Sequence, residues 1–219
     1  MAGFLHVWTI VDTFIQQLIN GLVVGSMYAL VALGYTMVYG IINLINFAHG
    51  EVLMVGALVS WTVVTVLADC GLPGWALLLL SLVVAMLACM ALNFVIEKLA
   101  YRPLRNAPRL APLITAMGMS LLLQTLAMII WKPDYKPYPI LLPDEPYEVC
   151  GATINVAQIL ILAVTAVVLG GLMLLINGTR LGRAMRATAE NPRVAQLMGV
   201  QPDKVISATF MIGAALAAL

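Results

Sequence analysis

Charged residues divide this chain into apolar stretches of similar length. Residues 76–96, 112–131 and 156–176 contain no Asp, Glu, Lys or Arg, and each approaches the ~20 residues that a helix needs to cross the hydrocarbon core of a bilayer. Each is read as a membrane-spanning helix. Residues 52–68, bounded by Glu51 and Asp69, form a shorter span that crosses only if Gly50 or the residues before it also enter the bilayer. Residues 13–48 are uncharged and longer than one span, so they are expected to hold one crossing and an additional element. A sixth apolar segment, "VISATFMIGAALAAL", begins at Val205 and falls short of a full span. The sequence is therefore expected to stop partway through a helix and to be the N-terminal portion of a longer membrane protein.

Composition agrees with the pattern. The chain is 63% hydrophobic and 10% charged over 219 residues, against about 45–50% and 25% in soluble domains. An all-α polytopic membrane protein follows. Nine of the eleven Lys and Arg residues fall in two segments: Lys98, Arg102, Arg105 and Arg109 in 97–112, and Arg180, Arg183, Arg186, Arg193 and Lys204 in 178–204. Cytoplasmic loops retain positive charge, so both are read as cytoplasmic. Segment 132–155 sets Lys132 and Lys136 against Asp134, Asp144, Glu145 and Glu148 and carries five prolines, which suits an irregular external loop. By parity the 69–75 turn is external, which places Glu51 towards the cytoplasmic half and, if 13–48 crosses once, the N-terminus outside. That terminus has no basic n-region and no obvious cleavage site, so a removed signal peptide is not expected. The net charge of +1 does not suggest nucleic-acid binding.

The three cysteines lack metal-ligand spacing, and Cys89, within an apolar span, is read as a small apolar side chain. Cys70 and Cys150 both fall on the external face, where a disulfide between them is possible in an oxidising compartment.

Segment 180–205, "RLGRAMRATAENPRVAQLMGVQPDKV", is the most polar passage between spans. Asn191-Pro192 is a helix start, because Asn caps with its side-chain oxygen and Pro at the first helical position loses no hydrogen bond. Gly199 is the matching stop, able to take the left-handed conformation after a helix end. The spacing predicts a two-turn helix over 192–198 with Val194, Leu197 and Met198 on one face. So short a helix has no autonomous stability; its apolar face on a cytoplasmic loop points to a partner's groove. The preceding 180–190 reads as a slim helix with Ala184, Ala187 and Ala189, in which Arg186 reaches Glu190 at i+4.

A second candidate is "GIINLINFAHGEVLMVG" at 40–56. Polar residues within a span face the protein interior or a water-filled path. In a regular helix Asn43, Asn46 and Gly50 share a face, His49 borders it and Glu51 points elsewhere, so His49 and Glu51 pair only if the helix breaks. Unwound segments line pathways in transporters; alternatively, the Asn side chains join helices by hydrogen bonds. "HGE" lacks metalloprotease spacing, so no metal site is expected. Gly21 and Gly25 with Ser26 form a small-residue face for close helix packing. Gln16, Gln17 and Asn20 suit a solvated helix entrance or mouth, and Met117 and Met119 are lipid- or core-facing filler.

"RAMRATAENPRVAQLMGVQPDKV" resembles the cytoplasmic coupling loop, the EAA-like motif, of LivH-like permeases in the branched-chain amino acid family of ABC importers. "GLVVGSMYALVALGYTMVYGIINLINFAHGEVLMVGA", "AYRPLRNAPRLAPLITAMGMS" and "ISATFMIGAALAAL" are similar to other parts of that family, so essentially the whole chain is covered. In other importers the loop reads E-A-A-x-x-x-G. Here Ala195 and Gly199 keep the second half while Glu190 lies further upstream. The resemblance implies an ABC importer permease fold, incomplete at its C-terminus, in a bacterial inner membrane. It implies a transport subunit without a catalytic site or cofactor, paired with a second, homologous permease. Two ATPase subunits that use ATP and Mg and an external solute-binding protein would complete the system. Residues 192–198 would be the coupling helix, with Val194, Leu197 and Met198 as knobs and Arg183, Arg186 and Glu190 as polar anchors. Two other readings stay open: an ion-coupled secondary transporter or channel in which His49 and Glu51 relay protons, and an ABC permease for amides or urea.

Overall fold

The computed structural model describes residues 2–42, 45–104, 107–108, 110–139, 141, 146–149 and 152–219. Eight α-helices are formed among them: α1 (Ala2–Ile42), α2 (His49–Leu67), α3 (Gly74–Ile96), α4 (Leu110–Trp131), α5 (Val156–Gly178), α6 (Arg180–Glu190), α7 (Pro192–Leu197) and α8 (Pro202–Ala217). Five stretches, Val11–Ile42, His49–Cys70, Gly74–Leu104, Leu110–Trp131 and Val156–Gly178, are long and apolar enough to cross a membrane. Each overlaps one of the uncharged runs and extends past it by a few residues in places, to Asp12, Glu51, Asp69 and, in Gly74–Leu104, to Glu97, Lys98 and Arg102. The additional element expected in 13–48 is the end of a helix and the start of a turn, since α1 stops at Ile42 and α2 starts at His49.

Two segments expected as loops contain regular structure. Residues 97–104, assigned to a basic loop over 97–112, continue α3 through a π-helical turn at Glu97–Tyr101 and a 3₁₀ turn at Arg102–Leu104. The charges there mark the polar end of a helix whose backbone keeps its own hydrogen bonds. Within 132–155, β1 (Pro146–Val149) pairs antiparallel with β2 (Ala152–Asn155), with Val149 opposite Ala152. Asn155 then opens α5 through a reciprocal capping box with Gln158.

The two ends of the bundle are set by side-chain ties. Gln16 of α1 accepts from the Thr153 amide at 2.8 Å and donates to the Thr153 carbonyl at 3.0 Å, so the first half of α1 lies beside the hairpin. At the opposite end Arg102 pairs with Asp203 at 2.6 Å, bringing two of the basic segments together.

Helix α8 occupies the interior. Val205, Ile206, Thr209, Phe210, Gly213, Ala214, Leu216 and Ala217 are all buried, and the helix packs on α1, α2, α3 and α6. From α1 the stripe Val23, Leu30, Gly34, Val38 and Ile41 turns inward, at the i+3, i+4 and i+7 spacings of one helical face. The closest approach is between glycines: a Cβ on Gly34 would stand 2.8 Å from the Gly213 carbonyl oxygen and 3.0 Å from the His49 ring. Gly21 and Gly25, expected to pack helices closely, have nothing within 4 Å; they lie on the outward face of α1, away from that stripe. Elsewhere apolar side chains point outward, as Leu79, Leu87, Ile129 and Leu174 do. Within the chain only a minority of residues in each span are fully buried, which leaves apolar surface for lipid or other subunits.

Gly34→Ala should lower stability by about 1–3 kcal/mol, the cost of overpacking a closed contact. Gly118→Ala, on an open face of α4, should leave it unchanged or raise it. Unfolding of the two variants in mixed micelles checks the difference.

Candidate functional site

The 178–204 segment folds as two capped helices, α6 and α7, followed by the start of α8. Thr179 starts α6 by accepting from the Gly182 amide at 3.0 Å. Asn191 ends α6 and starts α7, its side-chain oxygen accepting from Arg193 N at 3.1 Å and Val194 N at 3.2 Å. Pro192 holds the first helical position, and Gly199 takes φ +84° after the helix, its amide donating to the Gln196 carbonyl. Only one side chain of α7 is turned inward: Ala195 is 3% exposed, whereas Val194 is 53%, Leu197 86% and Met198 80% exposed. The helix ends at Leu197, with Met198 as its C-cap, one residue earlier than the sequence pattern suggests.

The α6 helix presents Met185 and Thr188 to the core, with Leu181 packed against it. Arg183 and Glu190 stay exposed. Arg186 does not pair with Glu190 as expected: it donates to the Ile176 carbonyl and to Asn177 Oδ1. The reason is the sharp turn at Thr179, which folds α6 back over carbonyls that α5 leaves open at its C-terminus.

The 40–56 segment breaks between α1 and α2. Asn43 lies outside the described residues, as do Cys150 and the pairing expected of it; Cys70 is an exposed thiol. Asn46 holds the turn: its Oδ1 accepts from the Ala48 amide at 3.2 Å and from the Tyr101 hydroxyl at 2.8 Å. Gly50 is exposed. His49 and Glu51 diverge even though the helix breaks. His49 is 1% exposed, packed edge-on against Tyr35 at 6.0 Å, and neither ring nitrogen has a hydrogen-bond partner in good geometry among the described residues. Glu51 turns the other way, to α4, where its Oε1 accepts from Ser120 Oγ at 3.0 Å and Gln124 Nε2 at 2.6 Å.

Several polar residues missed in the sequence join the same region. Asn93, fully buried in α3, donates to the Phe210 carbonyl of α8 at 2.6 Å. Glu97, also fully buried, accepts from Ser207 of α8 at 2.6 Å. Asn46, Glu97, Tyr101 and Phe210 line a small cavity together with Ile42 and Ile206. Asn93, Ser120 and Gln124 each interrupt an apolar run, and that was the available signal. Glu97 and Tyr101 gave none, because they were counted as loop.

The family described as branched-chain amino acid transport system, permease component, matches residues 17–219. The chain belongs to that family. It is 47% identical over 211 residues to the high-affinity branched-chain amino acid transport system permease protein BraD of Pseudomonas aeruginosa, covering 94% of this chain and 69% of that one. Against the protein LivH of Escherichia coli the identity is 43%, covering 94% and 68%. The probable branched-chain amino acid transport permease LivH of Methanocaldococcus jannaschii is 29% identical, covering 92% and 64%. No solved structure matches.

For a multi-pass permease, the depth of Glu51 matters. Helices α2 and α4 run parallel, since Glu51 meets Ser120 and Gln124 while Thr62 accepts from Trp131 Nε1 at 2.8 Å. Ser120 lies near the middle of α4, Leu110–Trp131, roughly 15 Å from either end at 1.5 Å per residue. Glu51 is therefore level with the middle of α4 although it is the third residue of α2, and it is only half-buried in this chain. An ionised side chain facing lipid at the centre of a span costs at least about 2.5–3.5 kcal/mol, and the hydrogen bonds from Ser120 and Gln124 offset part of such a cost.

Tyr101→Phe should cost about 0.5–1.5 kcal/mol, the net worth of one hydrogen bond. Combined with Asn46→Ala, the double variant should lose less than the sum of the single losses. A double-mutant cycle in mixed micelles measures this; strictly additive losses would mean that the bond contributes nothing.

Proposed function

We propose that this permease works in an ATP-driven importer of branched-chain amino acids, with α7 seated in a groove of an ATPase subunit. The observation that carries the reading is the exposure of Val194, Leu197 and Met198 on a two-turn helix capped at both ends. Exposed apolar side chains on a rigid polar loop suit helix-in-groove docking. The clustered Lys and Arg suit that loop to the cytoplasmic side, where Arg183 and Glu190 are exposed as candidate polar contacts. In this reading the permease has no catalytic site or cofactor of its own. Partner subunits hydrolyse ATP, a second permease completes the pathway, an external binding protein delivers the amino acid, and the assembly sits in the inner membrane.

The route of motion runs through α8. Ala195 anchors α7 inward, the Val200 amide donates to the Ala195 carbonyl, and Gln201-Pro202 leads directly into α8. A displacement of α7 by ATP closure would therefore be delivered to the most enclosed helix of the chain. A proton relay between His49 and Glu51 has no geometric support, because the two side chains leave α2 towards different helices.

In the complete transporter, Val194→Asp combined with Leu197→Asp should abolish copurification of the ATPase and reduce leucine uptake at least tenfold, one unit of 1.4 kcal/mol or more at the docking surface. A complex that keeps its ATPase and transports at the normal rate would refute the coupling role.

A further inference from the structure

The Glu51 carboxylate is held in a way that a simple helix tie does not require. Ser120 and Gln124, one turn apart on α4, both donate to Oε1, and among the described residues Oε2 has no donor. No Lys, Arg or His among the described residues comes within ion-pairing distance of Glu51. The result is a half-buried carboxylate level with the middle of α4, with Oε2 unengaged and no basic partner among the described residues. Ionisable side chains within membrane spans are rare and usually paired, and they mark substrate or ion pathways.

A zwitterionic amino acid carries the matching group, one ammonium with three donors. Its aliphatic side chain would find apolar neighbours on the same helices, Leu121 on α4 and Met54 on α2. We infer that Glu51 is the counter-charge that receives the ammonium group of the amino acid within the membrane. Ser120 and Gln124 are positioning residues that hold the carboxylate and leave Oε2 free. This inference rests on the reading of the chain as an amino acid permease.

The test is leucine uptake by the complete transporter carrying Glu51→Gln. Glutamine keeps an oxygen that accepts from Ser120 and Gln124, so a purely structural tie survives, while the charge is lost. The expected result is at least a tenfold fall in uptake with the ATPase subunits still copurifying. Uptake at the wild-type rate would overturn the inference and leave the α7 reading intact. Failure of the wild-type complex to move leucine would instead overturn the amino acid reading and this inference with it. If Glu51→Gln fails to assemble, Ser120→Ala with Gln124→Leu decides, because it keeps the charge and removes its positioning. Uptake should fall severalfold and recover when Ser120→Thr replaces Ser120→Ala, whereas unchanged uptake would overturn the inference.

Discussion

Helix α8 is fixed to its neighbours through backbone, and the rest of the arrangement depends on that attachment. At Gly34 and Gly213 the absence of side chains lets α1 and α8 come so close that a single methyl on either helix would meet the other's carbonyl at 3.0 Å or less. On its other side α8 accepts a hydrogen bond from Asn93 at its Phe210 carbonyl, and Ser207 donates to Glu97. Contacts of this kind have little slack: packed interiors shift between discrete arrangements rather than stretch. Helices α1, α3 and α8 therefore form a unit, and the capped loop that precedes α8 is its handle in the proposed coupling.

The polar residues inside the bundle follow from the same solvent argument. In hydrocarbon an unpaired polar group is costly, so polar groups there tend to be bound within the chain or turned to something outside it; His49, buried with neither ring nitrogen bonded in good geometry among the described residues, does neither. Asn46, Asn93, Tyr101 and Glu97 take the first course and stitch the α1–α2 break, α3 and α8 together. Glu51 takes the first course with one oxygen only. The π-helical turn at Glu97–Tyr101 adds a residue to the α3 helix where Glu97 and Tyr101 turn inward, and π-turns occur often at functional positions.

Much of this was legible from charge and capping alone. Uncharged runs located the spans because a bilayer imposes length and composition on any helix that crosses it. Asn191-Pro192 and Gly199 located α7 because caps obey local chemistry that tertiary structure rarely overrides. The destinations of Arg186 and Glu51 were not legible: one depends on the turn at Thr179, the other on which helix α2 packs beside. Gly21 and Gly25 show the converse. Their spacing is that of a packing face, yet α1 presents Gly34 to α8 instead, and sequence spacing cannot tell which of two small-residue positions meets a neighbour. The continuation of α3 past Glu97 was hidden by its charges, which read as loop although, of those charges, Glu97 is buried against α8 and only Lys98 and Arg102 turn outward.

The central claim is that α7 and α8 move together when ATP closes the partner subunits. Spin-label distances in the nanodisc-embedded transporter measure this, with one pair on Arg193→Cys and Lys204→Cys and another on Lys204→Cys and Ile114→Cys, all on exposed positions. Between nucleotide-free and ATP-bound states, the 193–204 distance should stay constant while the 204–114 distance changes by more than the width of its resting distribution. A change confined to the 193–204 pair, with 204–114 unmoved, would show the loop flexing alone and contradict the account.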